Sequence, residues 1–162
     1  KLADEFNRAV RYGREFALVL IDVDKFKEIN AKLSYKQGDQ VLIETARLFK
    51  TQTREVDMVC RYGGDEFAVL LPETGYENAL FKAEQLRQVV RQAEFSNTRD
   101  PSQPLHLTLS IGATAWSADL KTPDELLRGV DEAVHLAKRS GRDCVAGKFK
   151  AALTLAKPDP KA

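Results

Sequence analysis

Gly63-Gly64-Asp65-Glu66-Phe67 is the stretch that decides the fold, and it lies between two strand-like apolar runs, residues 56–62 and 67–71. Two glycines between such runs predict a tight β-hairpin, because the favoured two-residue turns need positive φ. A turn does not need the two acids that follow, and strands disfavour them. An acidic pair at the mouth of a hairpin is therefore a candidate metal site, with a solvated polar strand end as the alternative.

A second run, residues 15–23, reads EFALVLIDV and predicts a strand that is buried on both faces of a sheet. Asp22 and Asp24 close this run. Asp24 is explained as the N-cap of a short helical segment that begins near Phe26, whereas Asp22 has no such structural explanation. If this strand lies beside the hairpin, Asp22 and Asp65 converge at one sheet edge, where two carboxylates suit Mg²⁺.

Composition limits the class of protein. The chain has 162 residues, which fit one domain, and a formal net charge of +1. Its charges are interspersed and form no basic stripe for nucleic acid. No apolar run approaches the roughly 20 residues of a membrane span, and no signal peptide is visible. Cys60 and Cys144 lack metal-ligand spacing, so we expect buried free thiols and a cytoplasmic location, with a disulfide as the minor alternative.

Apolar periodicity predicts further elements and an α+β fold with helices packed on a mixed central sheet. Thr74 and Thr122 each open a capping box, and Gly141 is a candidate C-cap. We expect one domain over residues 1–147 and a disordered tail over residues 148–162. The predicted helices cover residues 2–12, 38–50, 74 to about 93 and 122 to about 139, and the predicted strands cover residues 105–115 and 142–146.

Five motifs, in order, resemble the GGDEF-domain diguanylate cyclases. They are DVDKFKEIN at 22–30, GDQVL at 38–42, RYGGDEFAVLLP at 61–72, LSIGA at 109–113, and DEA at 131–133 with AKRSGR at 137–142. The resemblance spans residues 5–147 and implies the palm-like sheet of class III nucleotide cyclases and some polymerases. It also implies that two GTP molecules condense into cyclic di-GMP and two pyrophosphates between two facing domains. It further implies an upstream regulatory domain, a homodimer for catalysis and an isolated domain that is mostly monomeric.

The resemblance also implies roles for the acids and for one lysine. Asp22, Asp65 and the Val23 carbonyl match metal ligands, and Glu66 matches a further acid near the metal. Two Mg²⁺ ions per GTP are expected, with Mn²⁺ as a possible substitute. Asp65 also matches the acceptor of the 3′-hydroxyl proton, and Lys27 matches a phosphate-binding lysine. Asp65, Lys27 and Glu66 are therefore the candidate catalytic residues, and a solvated helix lysine is the alternative for Lys27.

Further matched positions would bind substrate. Asn30 and Asp39 align with the residues that read guanine, and a carboxylate can accept from guanine N1–H and N2–H. A helix N-cap is the alternative for Asp39. Lys138 and Arg142 match phosphate contacts near the last helix. Tyr35 replaces a histidine that is a presumed substrate contact, and it could stack or donate a hydrogen bond instead.

Arg54 and Asp57 form an R-x-x-D pattern that ends five residues before the glycine pair. In the family this is the register of an inhibitory site for the product. The arginine that members often add from the following helix aligns with Gln85, with Arg87 nearby, so weakened product affinity is expected. A surface ion pair is the alternative interpretation.

Three departures from the family pattern keep a second function open. Ala31, Ser34 and Tyr35 stand where the family commonly has aspartate, glycine and histidine. The leading hypothesis is an active cyclase, because the metal-matched acids and Lys27 persist. The alternative is a catalytically silent domain that acts as a receptor for GTP or cyclic di-GMP.

Overall fold

A computed structural model of the protein describes residues 1–156. These residues form five helices and one six-stranded sheet with the strand order β2-β3-β1-β4-β5-β6. Only β4 and β5 pair in parallel, and the other neighbours are antiparallel. The predicted α+β fold with a mixed sheet is confirmed. The helices are α1 Leu2–Tyr12, α2 Phe26–Lys32, α3 Tyr35–Gln52, α4 Tyr76–Gln92 and α5 Pro123–Arg139, and the strands are β1 Phe16–Val23, β2 Met58–Arg61, β3 Glu66–Pro72, β4 Leu109–Ala115, β5 Cys144–Phe149 and β6 Ala152–Leu155.

The sheet is covered on both faces, which explains the continuous apolar run of β1. Successive side chains of a strand point to opposite faces. Val19 and Ile21 pack in one cluster with side chains of α3 and α4, whereas Leu18 and Leu20 pack in a second cluster with side chains of α1 and α5. All eight residues of β1 are buried, as expected for a central strand with helices on either side.

The connection between β2 and β3 is longer than the sequence predicts. The strand ladder ends at the pair Arg61 and Phe67, and residues 62–65 connect the two strands. Neither Gly63 nor Gly64 has a positive φ. A four-residue connection does not need a mirror-image turn, so the prediction of a two-residue turn with positive φ is wrong.

The predicted capping box at Thr74 is also wrong. Gly75 is the N-cap of α4. The Thr74 hydroxyl donates to the Pro72 carbonyl (3.0 Å) and accepts from Arg54 Nη2 (2.9 Å). Thr74 therefore fixes the end of β3 rather than the start of the helix.

The start and end of α5 follow the prediction more closely. The Thr122 hydroxyl accepts from the backbone N–H of Glu125, at 3.3 Å, and a proline opens the helix. The Glu125 carboxylate accepts from the backbone N–H of Lys121 (2.7 Å) rather than from Thr122. Ser140 is the C-cap, and Gly141 follows it with a φ of 108°. A glycine just after a helix is common because it tolerates this backbone conformation.

The chain after residue 147 is more ordered than the sequence predicts. β5 continues to Phe149, whose ring stacks on Tyr76 with centroids 4.8 Å apart. β6, Ala152–Leu155, then pairs back on β5. The predicted disorder is therefore wrong for residues 148–155, because an aromatic contact from α4 holds a segment that lacks a strong pattern of its own. Residues 157–162 lie outside the described part of the chain.

The cysteines are free, as predicted, but neither is fully buried. Cys60 is exposed and Cys144 is half-buried, so the predicted burial is wrong. Cys60 lies on β2, a four-residue edge strand with mostly exposed side chains. Within residues 1–156, no helix combines the length and the hydrophobicity that crossing a membrane requires.

Gly112 on β4 lies in close contact with the backbone of α5. An added Cβ would collide with the Val130 carbonyl oxygen and would lie 2.7 Å from Val134 N. We expect Gly112→Ala to lower the free energy of unfolding by about 1–3 kcal/mol, because the helix backbone must move away from the strand. Urea unfolding measures this change.

Gly129→Ala is the matched control for this prediction. Gly129 lies on α5, and an added Cβ there would meet only side-chain atoms within 4 Å, the nearest being Lys148 Cγ at 3.3 Å. This variant should keep or raise the stability of the parent, because alanine favours the helix. Equal stability of Gly112→Ala and the parent would mean that β4 and α5 are not in this close contact.

Candidate functional site

Asp22 and Asp65 lie next to each other at one end of the sheet. Asp22 is on β1, opposite Glu66 on β3. The backbone N–H of Val23 donates to the Asp65 carbonyl (3.1 Å), so the backbone of the loop is bound to the end of β1. The structure thus brings together the four residues that the sequence analysis assigned to metal binding.

Burial and neighbouring charges of both signs set the electrostatics of Asp22. Asp22 is 8% exposed, and burial raises the pKa of its carboxyl above the ordinary range. The Lys138 ammonium, 2.5 Å from Oδ2 of Asp22, opposes this shift of the pKa, whereas the charges of Asp65 and Glu66 add to it. A carboxylate in such surroundings is stabilised by a nearby cation.

The donor atoms at this end of the sheet are oxygens, which suit a hard cation such as Mg²⁺. Lys138 shows directly that Asp22 takes a positive partner. Across residues 1–156, no three His, Cys, Asp or Glu side chains form a preassembled metal cluster. The site therefore offers two adjacent strand ends with acids, and a backbone carbonyl would have to complete the ligand set.

Arg61 fixes the shape of the loop that carries Asp65, and the sequence analysis gave it no role. Its guanidinium donates to the Gly63 carbonyl (3.2 Å) and twice to the Gly64 carbonyl (3.1 and 2.6 Å). An added Cβ at Gly63 would lie 2.6 Å from Oε2 of Glu66. Glycine at this position therefore lets the Glu66 carboxylate lie close to the backbone of the loop. An arginine at a strand end two residues before a glycine pair is the only local signal for this arrangement.

A cleft of about 560 Å³ opens beside this loop. Lys27, Asn30, Tyr35 and Asp39 line it together with Asp65. The structure therefore brings the candidate phosphate-binding lysine and the candidate guanine-reading residues to one cavity next to the acids. Its remaining lining residues are Phe26, Ala31, Arg61 and Gly64.

Asn30 and Asp39 line the cleft from α2 and α3, respectively. An added Cβ at Gly38 would collide with Asn30 Oδ1, so glycine lets α2 pack closely on α3. Oδ1 of Asn30 is buried and has no hydrogen-bond partner among the described residues. Ser34 is the N-cap of α3, with its hydroxyl accepting from the Gln37 N–H (3.1 Å). The N-cap alternative for Asp39 is therefore wrong, and its exposed carboxylate is available to a ligand.

Asp24 does not cap α2, and that interpretation is wrong. Lys25 is the N-cap and has a φ of 57°. This left-handed residue turns the chain, so that the buried Asp24 carboxylate accepts from the hydroxyls of Thr108 and Ser110 (both 2.7 Å) and from the Asp143 N–H (3.1 Å). Asp24 thus ties the ends of β1 and β4 to the loop that follows α5.

Lys138 and Arg142 reach the same end of the sheet from the last turn of α5 and the loop after it. Lys138 is bound to Asp22. Arg142 is half-exposed, and its Nε lies 4.0 Å from Oδ1 of Asp24. Both cations therefore lie beside the strand end that carries the acids.

Arg54 and Asp57 lie at the opposite end of the hairpin from Asp65. The Asp57 side chain is fully buried and accepts from the backbone N–H of Arg54 (2.8 Å) and from its guanidinium (2.9 Å). Nη2 of Arg54 also donates to the Pro72 carbonyl (3.2 Å), at the far end of β3. Seven residues of β3 separate the two regions, roughly 20 Å in an extended strand.

Arg87 does not replace the arginine that the family often has at the position of Gln85. Arg87 is 5% exposed and is bound to Glu84 and Asp143. Gln85 is exposed on α4. The exposed face of α4 therefore lacks the additional guanidinium at this position.

Comparison with known proteins identifies the family of this chain and finds similar sequences and solved structures. Residues 1–144 match the family model described as "Diguanylate cyclase, GGDEF domain". The chain is 40% identical over 141 residues to response regulator PleD of Caulobacter vibrioides and 37% identical over 143 residues to diguanylate cyclase DosC of Escherichia coli. The match covers 87% of this chain but only 31% of PleD and 30% of DosC.

One solved structure resembles this chain over almost its whole length. It is the active GGEEF domain of a diguanylate cyclase from Vibrio cholerae, with a TM-score of 0.82 and 29% sequence identity. The superposition covers 93% of this chain and 92% of that one. The sheet and helices described above are thus those of a known fold.

Proposed function

The chain belongs to the GGDEF family, and on that premise we propose that it is a diguanylate cyclase that condenses two GTP molecules into cyclic di-GMP and two pyrophosphates. The observation that carries the proposal is the position of Asp22 and Asp65 on adjacent strand ends, beside a cleft that Lys27, Asn30 and Asp39 line. Incubation with GTP and Mg²⁺, followed by identification of the product by mass, tests it.

We assign the metal to the strand ends that carry the acids. Asp22, Asp65, Glu66 and the Val23 carbonyl would hold Mg²⁺, with Mn²⁺ as a substitute and two ions per GTP. The oxygen donor set and the raised pKa of the buried Asp22 support this assignment. Such ions, when bound, neutralise charge on the triphosphate and orient it.

Asp65 acts as the proton acceptor in the proposed reaction. It takes the proton from the 3′-hydroxyl of one GTP while that oxygen bonds to the α-phosphorus of the other GTP. The bond from the α-phosphorus to the bridging oxygen breaks, and pyrophosphate leaves with the electron pair. A second, reciprocal attack closes the ring and releases the second pyrophosphate.

Three cations would bind the triphosphate and the leaving pyrophosphate. Lys27 lines the cleft, and Lys138 and Arg142 lie at the strand end beside Asp22. Positive charge at these positions lowers the barrier because negative charge accumulates on the phosphate oxygens in the transition state. Each domain holds one GTP, so two copies of the chain must face each other for the reaction.

Base recognition is assigned to Asp39 and Asn30. The exposed Asp39 carboxylate can accept from guanine N1–H and N2–H, and the Asn30 amide can pair with the remaining edge. The position of both side chains on the lining of the cleft supports this assignment. Tyr35, which is 81% exposed, can stack on the base or donate a hydrogen bond to the nucleotide.

A second candidate function is a silent receptor that binds GTP or cyclic di-GMP without turnover. Ala31 and Tyr35, which line the cleft, and the nearby Ser34 depart from the family pattern and support this alternative. The chain retains the family residues at Asp22, Lys27, Asp65 and Glu66, which favours an active cyclase over a receptor. Binding of GTP without consumption would distinguish the receptor from the cyclase.

We also propose that Arg54 and Asp57 form an inhibitory site for cyclic di-GMP. The buried Asp57 carboxylate holds the guanidinium of Arg54 in place, and half of the Arg54 side chain remains exposed to a ligand. Arginine forks match the acceptors of guanine and of phosphate. The separation of this site from Asp65 along β3 makes the proposed inhibition allosteric.

Arg54→Ala should weaken binding of cyclic di-GMP about ten- to a hundredfold, because it removes a charge-assisted fork. Calorimetry measures the affinity for cyclic di-GMP. It requires a high protein concentration, because position 85 is glutamine rather than arginine and the parent is therefore expected to bind with modest affinity. Arg8→Ala, which removes an exposed arginine paired with Glu5 on α1, is the control. If Arg54→Ala binds the product as tightly as the parent, Arg54 and Asp57 form only a structural ion pair.

A further inference from the structure

Two consecutive residues in the loop after α5 have left-handed backbone conformations, and neither is glycine. Arg142 has a φ of 65° and Asp143 has a φ of 46°. A side chain with a Cβ rarely adopts this conformation, and it persists where the surrounding structure holds it. The loop carries Arg142, one of the cations assigned above to the triphosphate.

Asp143 is held from three directions. Its backbone N–H donates to Oδ2 of Asp24 (3.1 Å), and its carbonyl accepts from Nη1 of Arg87 (3.2 Å). Its carboxylate accepts from the same nitrogen of Arg87 at 2.5 Å and lies 3.2 Å from Nη1 of Arg91. The backbone N–H of Arg142 donates to the carbonyl of Ala137, at 3.1 Å. These bonds fix the backbone on either side of the Arg142 side chain.

Arg87 is itself locked in place on α4. It is 5% exposed, and Glu84 accepts from its Nε (2.8 Å) and its Nη2 (2.7 Å). One edge of the guanidinium is thus bound to its own helix, and Nη1 is left for Asp143. An arginine fork that is fixed in this way presents its remaining donor in one direction.

The contacts of Asp143 join α4 to the strand end that carries the acids. Asp24 accepts from Asp143 on one side and from Thr108 and Ser110 on the other, and it follows Val23 directly in the chain. The path from Arg87 through Asp143 to Asp24 therefore ends at the residue next to the proposed metal ligands. It also sets the backbone of the adjacent Arg142.

We propose that the ion pair between Arg87 and Asp143 positions Arg142 for the triphosphate of GTP. Arg87 would touch no substrate, so it is a positioning residue rather than a catalytic one. The inference rests on the proposed function, because it needs a triphosphate at Arg142. It assigns a role in nucleotide binding to a buried charge on α4, a helix that supplies no residue to the cleft.

A double-mutant cycle on Asp143 and Arg142 tests this proposal. Calorimetry with 3′-deoxyguanosine triphosphate and Mg²⁺ measures affinity without turnover. Asp143→Asn keeps the size and the backbone bonds of Asp143 but removes the charge, and it should weaken binding about fivefold to tenfold. Arg142→Ala should weaken binding about tenfold or more. The double variant should bind about as tightly as Arg142→Ala alone, because the effect of Asp143 passes through Arg142.

Two further variants separate positioning from general stability. Arg87→Lys keeps the charge and loses the fork, so it should weaken binding in the parent but not in the Arg142→Ala background. Lys82→Ala is the control, since Lys82 is a cation on α4 that donates to the carbonyl of Gln52 (2.8 Å) on α3 rather than to the loop. It should leave affinity unchanged.

The inference would be overturned if the fold-losses of affinity in Asp143→Asn and Arg142→Ala multiplied in the double variant. It would also be overturned if Asp143→Asn bound the nucleotide as tightly as the parent. Either result, with nucleotide binding intact in the parent, leaves the proposed function standing. A parent chain that binds no guanosine triphosphate would overturn the proposed function and this inference together.

Discussion

Asp65→Asn is expected to reduce synthesis of cyclic di-GMP about a thousandfold or more, the range that general-base catalysis alone can span. The substitution removes the proposed proton acceptor and one negative charge of the metal site at nearly constant volume. The loop should keep its position, because the Val23 N–H bonds to the carbonyl of residue 65 and not to its side chain. Initial rates of pyrophosphate release measure the loss.

Asp119→Asn is the matched control for Asp65→Asn. It makes the same chemical change at an exposed residue beyond β4, at the end of the sheet opposite Asp22. It should turn over at the parent rate. Equal unfolding temperatures for parent and both variants would show that the fold is preserved. Turnover by Asp65→Asn near the parent rate would remove Asp65 from the chemistry.

Asp39→Ser should narrow the preference for GTP over ATP about ten- to a hundredfold. The carboxylate would pair with two N–H groups that adenine does not present in the same way, and the loss of even one such charge-assisted bond costs about 1.5–3 kcal/mol, or about ten- to a hundredfold in the ratio. A site that pairs with polar groups rejects a base that leaves those groups unpaired. The ratio of kcat/KM for the two nucleotides measures the change.

Gln40→Ser serves as the control for base preference. Gln40 is the next residue on α3, and its amide donates to Glu44 (2.8 Å) on the same helix. This variant should keep the parent ratio. An unchanged ratio in Asp39→Ser would place recognition of the base elsewhere in the cleft.

The centre of the fold and the position of the acids could be predicted because local sequence carries them. A continuous apolar run such as that of β1 favours a strand covered on both faces, and the acids at its end and in the loop before β3 are adjacent in the chain to those strands. The convergence of Asp22 and Asp65 is expected only if β1 lies beside the hairpin, and the pairing of β1 with β3 meets that condition.

The features that the sequence analysis missed depend on contacts between distant segments. Asp24 looks like a helix cap from its neighbours, but its carboxylate is bound to Thr108, Ser110 and Asp143, which lie more than 80 residues away. β6 forms because β5 offers an edge, and its four residues have no pattern that would identify a strand. Local periodicity cannot report such partners.

The loop between β2 and β3 shows that local sequence can also fail to predict contacts between residues close together in the chain. Gly63 and Gly64 suggest a tight turn because glycine tolerates positive φ, yet neither glycine uses that freedom. Glycine at 63 leaves room for the Glu66 carboxylate, and Arg61 holds both carbonyls. Residue type alone does not distinguish these two uses of glycine.

The measurement that tests the central claim most directly is incubation of the chain with GTP and Mg²⁺ over a wide range of protein concentrations, with the products identified by mass. The proposed function predicts cyclic di-GMP and pyrophosphate in a ratio of one to two, and no turnover when the divalent ion is chelated. Specific activity should rise with protein concentration, because each chain supplies only one half of the reaction. Bound GTP that remains unconsumed at the highest protein concentration would contradict the account and identify the chain as a nucleotide receptor.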